Sequence, residues 1–231
     1  MQAAILAGGL ATRLGSITKN QPKSLVPIKG KVFLEYQLEF LADGGVKDIV
    51  LCLGHLGKMI PQHLGNGNRY GLHLEYSFEE KPLGTAGALK KAETFLEDSF
   101  FTLYGDSYLT LDFYQVLSML KSTNKLGAMT VFKNHDRYER SNTAIKGNLV
   151  SRYSKNCRTQ DMVYIDYGVN ALKKEVLKMV PKDRFYSLED LFIRLIGMKE
   201  LLAFEVKERF YEIGSLRGLQ EFEQYVAEGM R

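Results

Sequence analysis

Gly8, Gly9, Thr12, Arg13 and Lys23 fall in one short stretch, directly after the apolar run QAAILA. Paired glycines permit a tight turn and leave no Cβ between main chain and ligand. Successive N–H groups in such a turn form an anion-binding concavity. Arg13 presents a planar fork suited to phosphate oxygens, and Lys23, behind Pro22, adds a point charge. No Asp or Glu precedes Glu35, while Arg13, Lys19, Lys23, Lys29 and Lys31 give Met1 to Leu34 a charge of +5, against +4 for the whole chain. A βα turn with solvated cations would use the same residue types. The carboxylate-free block favours a polyphosphate ligand instead.

Two common phosphate motifs are excluded. The P-loop pattern G-x-x-x-x-G-K-[ST] is absent, and GGLATRLG does not match the dinucleotide fingerprint G-x-G-x-x-G. The acid that should follow that fingerprint could only be Glu35 or Glu39, both in a helical pattern. Further along, Asp106 ends the run FFTLYGD, at the carboxyl edge of an expected strand, where open α/β sheets bind ligands. Asp112, with Gln115 three residues on, reads as a capping box. The four histidines show no metal-ligand spacing, and the thirteen tyrosines are too scattered for a nucleic-acid stacking platform.

These residues need elements to position them. QAAILA and DIVLCLG read as strands buried on both faces. Between them Phe33, Leu34, Leu38 and Leu41 recur at helical spacing, with a stop at Gly44 and Gly45. Helices are expected around Leu56 to Leu64, from about Thr85 to Leu96, and over FYQVLSMLKS; strands over LHLEYSF, FFTLYGD and GAMTVF. This alternation implies βαβ units and a mostly parallel sheet. The second half reads as a hairpin turning at Lys146-Gly147-Asn148, a strand MVYIDYGVNAL with a helix after it, a helix capped by Ser187, short strands LLAFEV and RFYEI, and a terminal helix. The expectation is one α/β unit, with a nucleotide-binding part over about 1–132 and a smaller mixed-strand part over about 133–231 closing a cleft.

The stretch LAGGLATRLGSITKNQPKSLVPIKGK resembles the signature of sugar-1-phosphate nucleotidylyltransferases, L-A-G-G-x-G-T-R-L followed by P-K-P or P-K-S. Ala11 stands where that family usually has glycine, and Ser16 replaces a frequent proline. The resemblance continues through PLGTAGAL, YGDSY, YIDYGVNAL and FYEIGS, so it covers nearly the whole chain. It implies a Rossmann-like sheet flanked by helices with a smaller sugar-binding part. The implied reaction is attack of a sugar 1-phosphate oxygen on the α-phosphorus of a nucleoside triphosphate, with release of pyrophosphate. Positioning and electrostatics carry such a reaction, with little need for a general base.

By this resemblance Arg13 serves the β- and γ-phosphates and the departing pyrophosphate, and Lys23 the α-phosphate and transition state. Leu6, Ala7, Gly8, Gly9 and Thr12 contact the nucleotide, and Thr85, Ala86 and Gly87 flank its base and ribose. Asp106 coordinates Mg²⁺, with Glu212 of FYEIGS as the second ligand in place of the family's aspartate. Lys155, Asp166 and Gly168 take the sugar phosphate; Ser154 replaces the glutamate usual before that lysine, and Asp166 an asparagine. A second basic block supports them: Lys133 to Arg158 holds seven Lys or Arg against Asp136 and Glu139.

The length resembles short guanylyl- and uridylyltransferases, notably those acting on heptose or mannose 1-phosphate, so GTP is the favoured nucleotide. The rival class is a non-catalytic nucleotide-sugar-binding regulatory protein on the same fold. A dinucleotide-dependent oxidoreductase ranks well below both. No run of ~18 apolar residues suggests a membrane span, and no basic leader precedes the first apolar run. With only Cys52 and Cys157, a cytoplasmic protein is expected, with small-molecule substrates, no nucleic-acid partner and room for a homo-oligomer.

Overall fold

A computed structural model describes residues 1–9 and 12–229; the side chains of Thr12, Arg13 and Ser16 lie outside that description, as do Leu10, Ala11, Met230 and Arg231. The first part of the chain forms β1 (Gln2–Ala7), β2 (Pro27–Ile28), β3 (Lys31–Val32), α1 (Phe33–Asp43), β4 (Asp48–Leu53), α2 (Met59–Leu64), β5 (His73–Phe78), α3 (Gly84–Lys91), β6 (Ser99–Tyr104), β7 (Ser107–Tyr108), α4 (Phe113–Thr123) and β8 (Gly127–Lys133). The remainder forms β9 (Thr143–Lys146), β10 (Leu149–Tyr153), β11 (Tyr164–Lys173), α5 (Leu188–Gly197), β12 (Leu201–Val206), β13 (Tyr211–Glu212) and α6 (Leu216–Ala227).

Among the described residues, nine strands make one sheet in the order β5-β4-β1-β6-β11-β8-β12-β10-β9. From β5 to β6 all pairings are parallel. At β11 the sheet turns mixed: β11 runs antiparallel to both β6 and β8, while β12 runs parallel to β8. β8 therefore sits between two strands of the second part, and the two parts interleave rather than abut.

The strands carry near-continuous apolar runs because helices cover both faces. Ala3 and Ile5 of β1 point with Ile49, Leu51, Phe101 and Leu103 toward Leu34, Leu38 and Leu41 of α1, and toward Val116 and Leu120 of α4. Ala4, Val50, Cys52 and Phe100 point the other way, toward Ala86 and Leu89 of α3 and Leu191, Phe192 and Leu195 of α5. A third cluster docks α6: its Phe222 is fully buried, edge-on to Phe33 at 5.1 Å and to Tyr36 at 5.6 Å. Truncating a buried ring of this kind costs about 3–5 kcal/mol, so Phe222 is a principal anchor of the C-terminal helix.

Three local expectations are adjusted. The helix expected to Leu96 ends at Lys91; Ala92 takes a bridge conformation (φ −83°, ψ 1°), a separate turn forms over Glu93–Phe95, and Leu96 is extended. The element after β11 is a 3-10 segment, Lys174–Met179. At Asp112 only half a capping box forms. The aspartate accepts from the Gln115 N–H at 3.1 Å, but the Gln115 amide returns to the Asp112 carboxylate at 2.8 Å rather than to the main chain. At Ser187 the reciprocal box with Asp190 is complete.

Candidate active site

The loops leaving β1, β4 and β6 meet at the carboxyl edge of the parallel strands and floor a cleft of ≈ 600 Å³. Leu6, Ala7, Gly8, Gly9, Lys23, Thr85 and Asp106 all line it, so the glycine loop after β1, the start of α3 and the acid after β6 share one cavity. Thr12 and Arg13 lie outside the described side chains. Gly8 is required by close packing: a Cβ there would come within 2.5 Å of the Glu79 carboxylate and 3.3 Å of the Gly54 nitrogen. No described residue lies within 4 Å of the same position at Gly9.

Lys23 and Asp106, 83 residues apart, form an ion pair of 2.6 Å between Nζ and Oδ2. Both are mostly shielded, with side chains 17% and 26% exposed, where salt screens an ion pair less than at the open surface. A single 3-10 turn, Lys23–Leu25, fixes the lysine's backbone, closed by Leu25 N–H to Pro22 O and Val26 N–H to Lys23 O. Asp106 is fixed from two sides. Ile213 N–H donates to its carbonyl at 2.9 Å, and the buried Gln37 amide of α1 donates to the carbonyls of Tyr104 and Ser107, at 2.9 and 2.7 Å. Sequence reading passed over Gln37; its one signal is an amide set among Leu34, Leu38 and Leu41, which face the core.

Thr85, Ala86 and Gly87 separate in role. Thr85 lines the cleft, and its Oγ1 accepts from the Leu188 N–H at 2.7 Å. Ala86 and Gly87 are buried, and their N–H groups donate to the Tyr186 carbonyl at 3.0 and 2.9 Å. They fasten α3 to the Arg184–Leu188 segment rather than forming the cleft wall.

In the second part of the chain, β11 bulges against β8 between Asp166 and Asn170. Gly168, at φ +98°, takes a left-handed conformation there that few side chains tolerate. The bulge turns the Asp166 carboxylate onto the Gly168 N–H at 3.1 Å, the Tyr153 hydroxyl at 3.3 Å and the Asn170 amide at 3.4 Å. Burial pushes the Asp166 carboxyl above the usual carboxylate range, opposed by the Gly168 hydrogen bond and the Lys155 charge. Lys155 Nζ stands 5.1 Å from the centre of the Tyr104 ring, itself a cleft residue. Glu189 of α5 accepts from the Lys155 N–H at 2.9 Å and the Ser154 hydroxyl at 3.2 Å, bringing a glutamate beside the lysine from a different element. Arg152 and Arg158 pair with Asp161 and Asp136 instead.

Glu212 lies opposite Ser107 in the β13–β7 pairing. Its carboxylate accepts from the Gly214 N–H and, at 2.5 Å, from the Ser215 hydroxyl that caps α6. Glu79, a cleft residue missed by the sequence reading, has its pKa raised by burial against one backbone hydrogen bond from Leu83. Cys52 also reaches the cleft, but burial pushes its thiol up to about 12, so it is a poor nucleophile. Among the described residues, no three His, Cys, Asp or Glu side chains gather as a metal site.

The nucleotidyl transferase family model matches residues 2–151. The chain belongs to that family. This nucleotidyl transferase is 31% identical to a D-glycero-alpha-D-manno-heptose 1-phosphate guanylyltransferase of Campylobacter jejuni, covering 93% of this chain and 95% of the relative. A protein of that name from Aneurinibacillus thermoaerophilus is 29% identical, with 93% of each covered. HddC from Yersinia pseudotuberculosis, whose structure is also solved with GMP-PN, superposes with a TM-score of 0.79 at 29% identity, covering 97% of this chain and 99% of that one. The resemblance to sugar-1-phosphate nucleotidylyltransferases is borne out, and so is the fold class.

Proposed function

We propose that this nucleotidyl transferase joins GTP to a heptose or mannose 1-phosphate in the cytoplasm, forming a GDP-sugar and pyrophosphate. The observation that carries the reading is the Lys23–Asp106 pair on the cleft floor. Its cation belongs to the nucleotide loop, and its carboxylate stands beside the β6 edge. The preference for GTP and for these sugars is supported by the names of the relatives of similar length.

A sugar 1-phosphate oxygen attacks the α-phosphorus, and the bond from that phosphorus to the bridging oxygen of pyrophosphate breaks. Lys23, freed from Asp106, neutralises charge on the α-phosphate as the new bond forms. Gly8 and Gly9 admit the phosphates, and Arg13 stabilises the departing pyrophosphate. Lys155 holds the second substrate's phosphate, and Asp166 accepts hydrogen bonds from sugar hydroxyls. The residues fit Mg²⁺. Among the described residues, Asp106 Oδ1 has only a long 3.4 Å contact from the Ser107 hydroxyl, which leaves a hard oxygen for a cation that takes one or two carboxylates and completes its shell with phosphates and water. Glu212 is the second donor once it releases Ser215. When bound, the ion neutralises phosphate charge.

The test is pyrophosphate release with Mg²⁺, crossing GTP, UTP, dTTP and CTP with heptose and mannose 1-phosphates, for the native chain and Lys23→Ala. Release is expected with GTP and one of the sugars, falling about 10²–10³-fold in the variant with its far-ultraviolet circular dichroism unchanged. Turnover that survives Lys23→Ala would remove the lysine from the mechanism. Nucleotide binding without turnover in any combination would favour the regulatory reading.

A further inference from the structure

Phe185 is the one large apolar side chain lining the cleft, among the described residues, that the protein leaves mostly in water: it is 68% exposed. The exposure does not come from a loosely held backbone. On one side Tyr186 N–H donates to Leu83 O at 2.8 Å, and on the other its carbonyl accepts from Ala86 and Gly87. Leu188 N–H adds the bond to Thr85 Oγ1 at 2.7 Å. The segment is thus strapped to the start of α3, and the ring is held over Gly84, close enough that a Cβ there would lie 3.2 Å from Phe185 Cε2. A rigidly mounted aromatic face turned to solvent inside a ligand cleft is suited to stacking on a flat apolar surface.

We propose that Phe185 is a nucleotide-binding residue that stacks on the purine of the nucleotide; this rests on the GTP-dependent reading above. The cleft wall about the ring is the Glu80-Lys81-Pro82 loop and the α3 start, whereas phosphate chemistry is placed at Lys23 and Asp106. The phosphates of a triphosphate laid on the glycine loop engage the cations, and its base is the planar group left to meet the ring. Stacking of base on aromatic is sequence-tolerant, so Phe185 supplies affinity and favours the larger purine face, while polar cleft groups choose among purines.

The chain contains no tryptophan, so Phe185→Trp installs one emitter at the proposed contact. In the full-length protein, GTP added without sugar 1-phosphate is expected to quench that emission, saturating at the concentration given by calorimetry, with affinity near that of the native chain. Phe185→Leu keeps an apolar side chain and loses the ring face. It is expected to weaken GTP about tenfold while the KM for the sugar 1-phosphate holds. Emission unmoved by GTP that calorimetry shows to be bound would overturn the stacking assignment alone, as would a Phe185→Leu effect confined to the sugar 1-phosphate KM. Calorimetry that detects no GTP binding to the native chain would overturn the assignment together with the functional reading beneath it.

Discussion

At Asp166 two demands conflict. The bulged β11 backbone presents the carboxylate with three hydrogen-bond donors, yet burial disfavours its charge and raises its pKa. Between an unfolded-state pKa near ~3.9 and the raised native value, the folded chain keeps a proton that the unfolded chain has lost. Stability therefore falls as pH climbs through that window, and the loss persists at neutral pH. Asp166→Asn removes the charge while its carbonyl still accepts from Gly168 and its amide can donate to Tyr153. The variant is expected to raise the melting temperature at pH 7 by roughly 2–4 °C, as about 1 kcal/mol does in a chain of this size, with the gain vanishing at pH 4. Equal gains at both pH values would trace the effect to packing instead. The motifs holding Asp166, Lys23 and Asp106 were singled out by their likeness to family patterns, and Asp106 also by its place just after a strand. Gln37, Glu79 and Phe185 were not, since their roles arise from segments far apart in the sequence.

Among the elements, the junction of α3 with the segment leading into α5 is closely constrained by backbone contacts. Gly84 opens α3 at φ +72°, and a Cβ there would meet the Tyr186 carbonyl at 2.7 Å, a backbone atom already accepting from Ala86 and Gly87. Gly84→Ala therefore incurs both left-handed strain and a clash that cannot be relieved by rotating a side chain. A loss of about 1–3 kcal/mol is expected, read as a lower urea midpoint with an unchanged slope. The KM for GTP should rise in the same variant, because Phe185 is carried on the displaced segment. A stability loss without any change in nucleotide affinity would separate the strap from the cleft. The glycine in PLGTAG stood out as a likeness to a family motif, but the partner that makes it necessary lies about a hundred residues later. Element order was legible from apolar runs and periodicity. The early end of α3 at Lys91 was not, because Ala92 to Phe95 continue a helical composition while the backbone leaves the helix at Ala92.

For the molecule as a whole, the sequence implied two parts meeting near residue 132, and the sheet order shows how they are joined. β11 hydrogen-bonds to β6 on one side and β8 on the other, so a strand of the second part closes the edge of the parallel sheet and carries the last strand of the first. Local patterns report burial and period but carry no record of which strand lies beside which, so this interleaving was beyond sequence reading. Asp166 and Gly168 sit in the bulge of the shared strand, outside the lining of the cleft, while Asp106 follows β6 beside it. A fragment ending at residue 132 would leave β6 with one edge unpaired and β8, which loses both β11 and β12, with none of its partners, and apolar faces uncovered. We expect that fragment not to unfold cooperatively, and the full chain to unfold in one transition, seen alike by far-ultraviolet circular dichroism and tyrosine fluorescence in urea. Two resolved transitions, or a fragment with a sharp transition of its own, would mean that the parallel half is stable before β11 arrives, and that the residues of the β11 bulge are added to a sheet already folded.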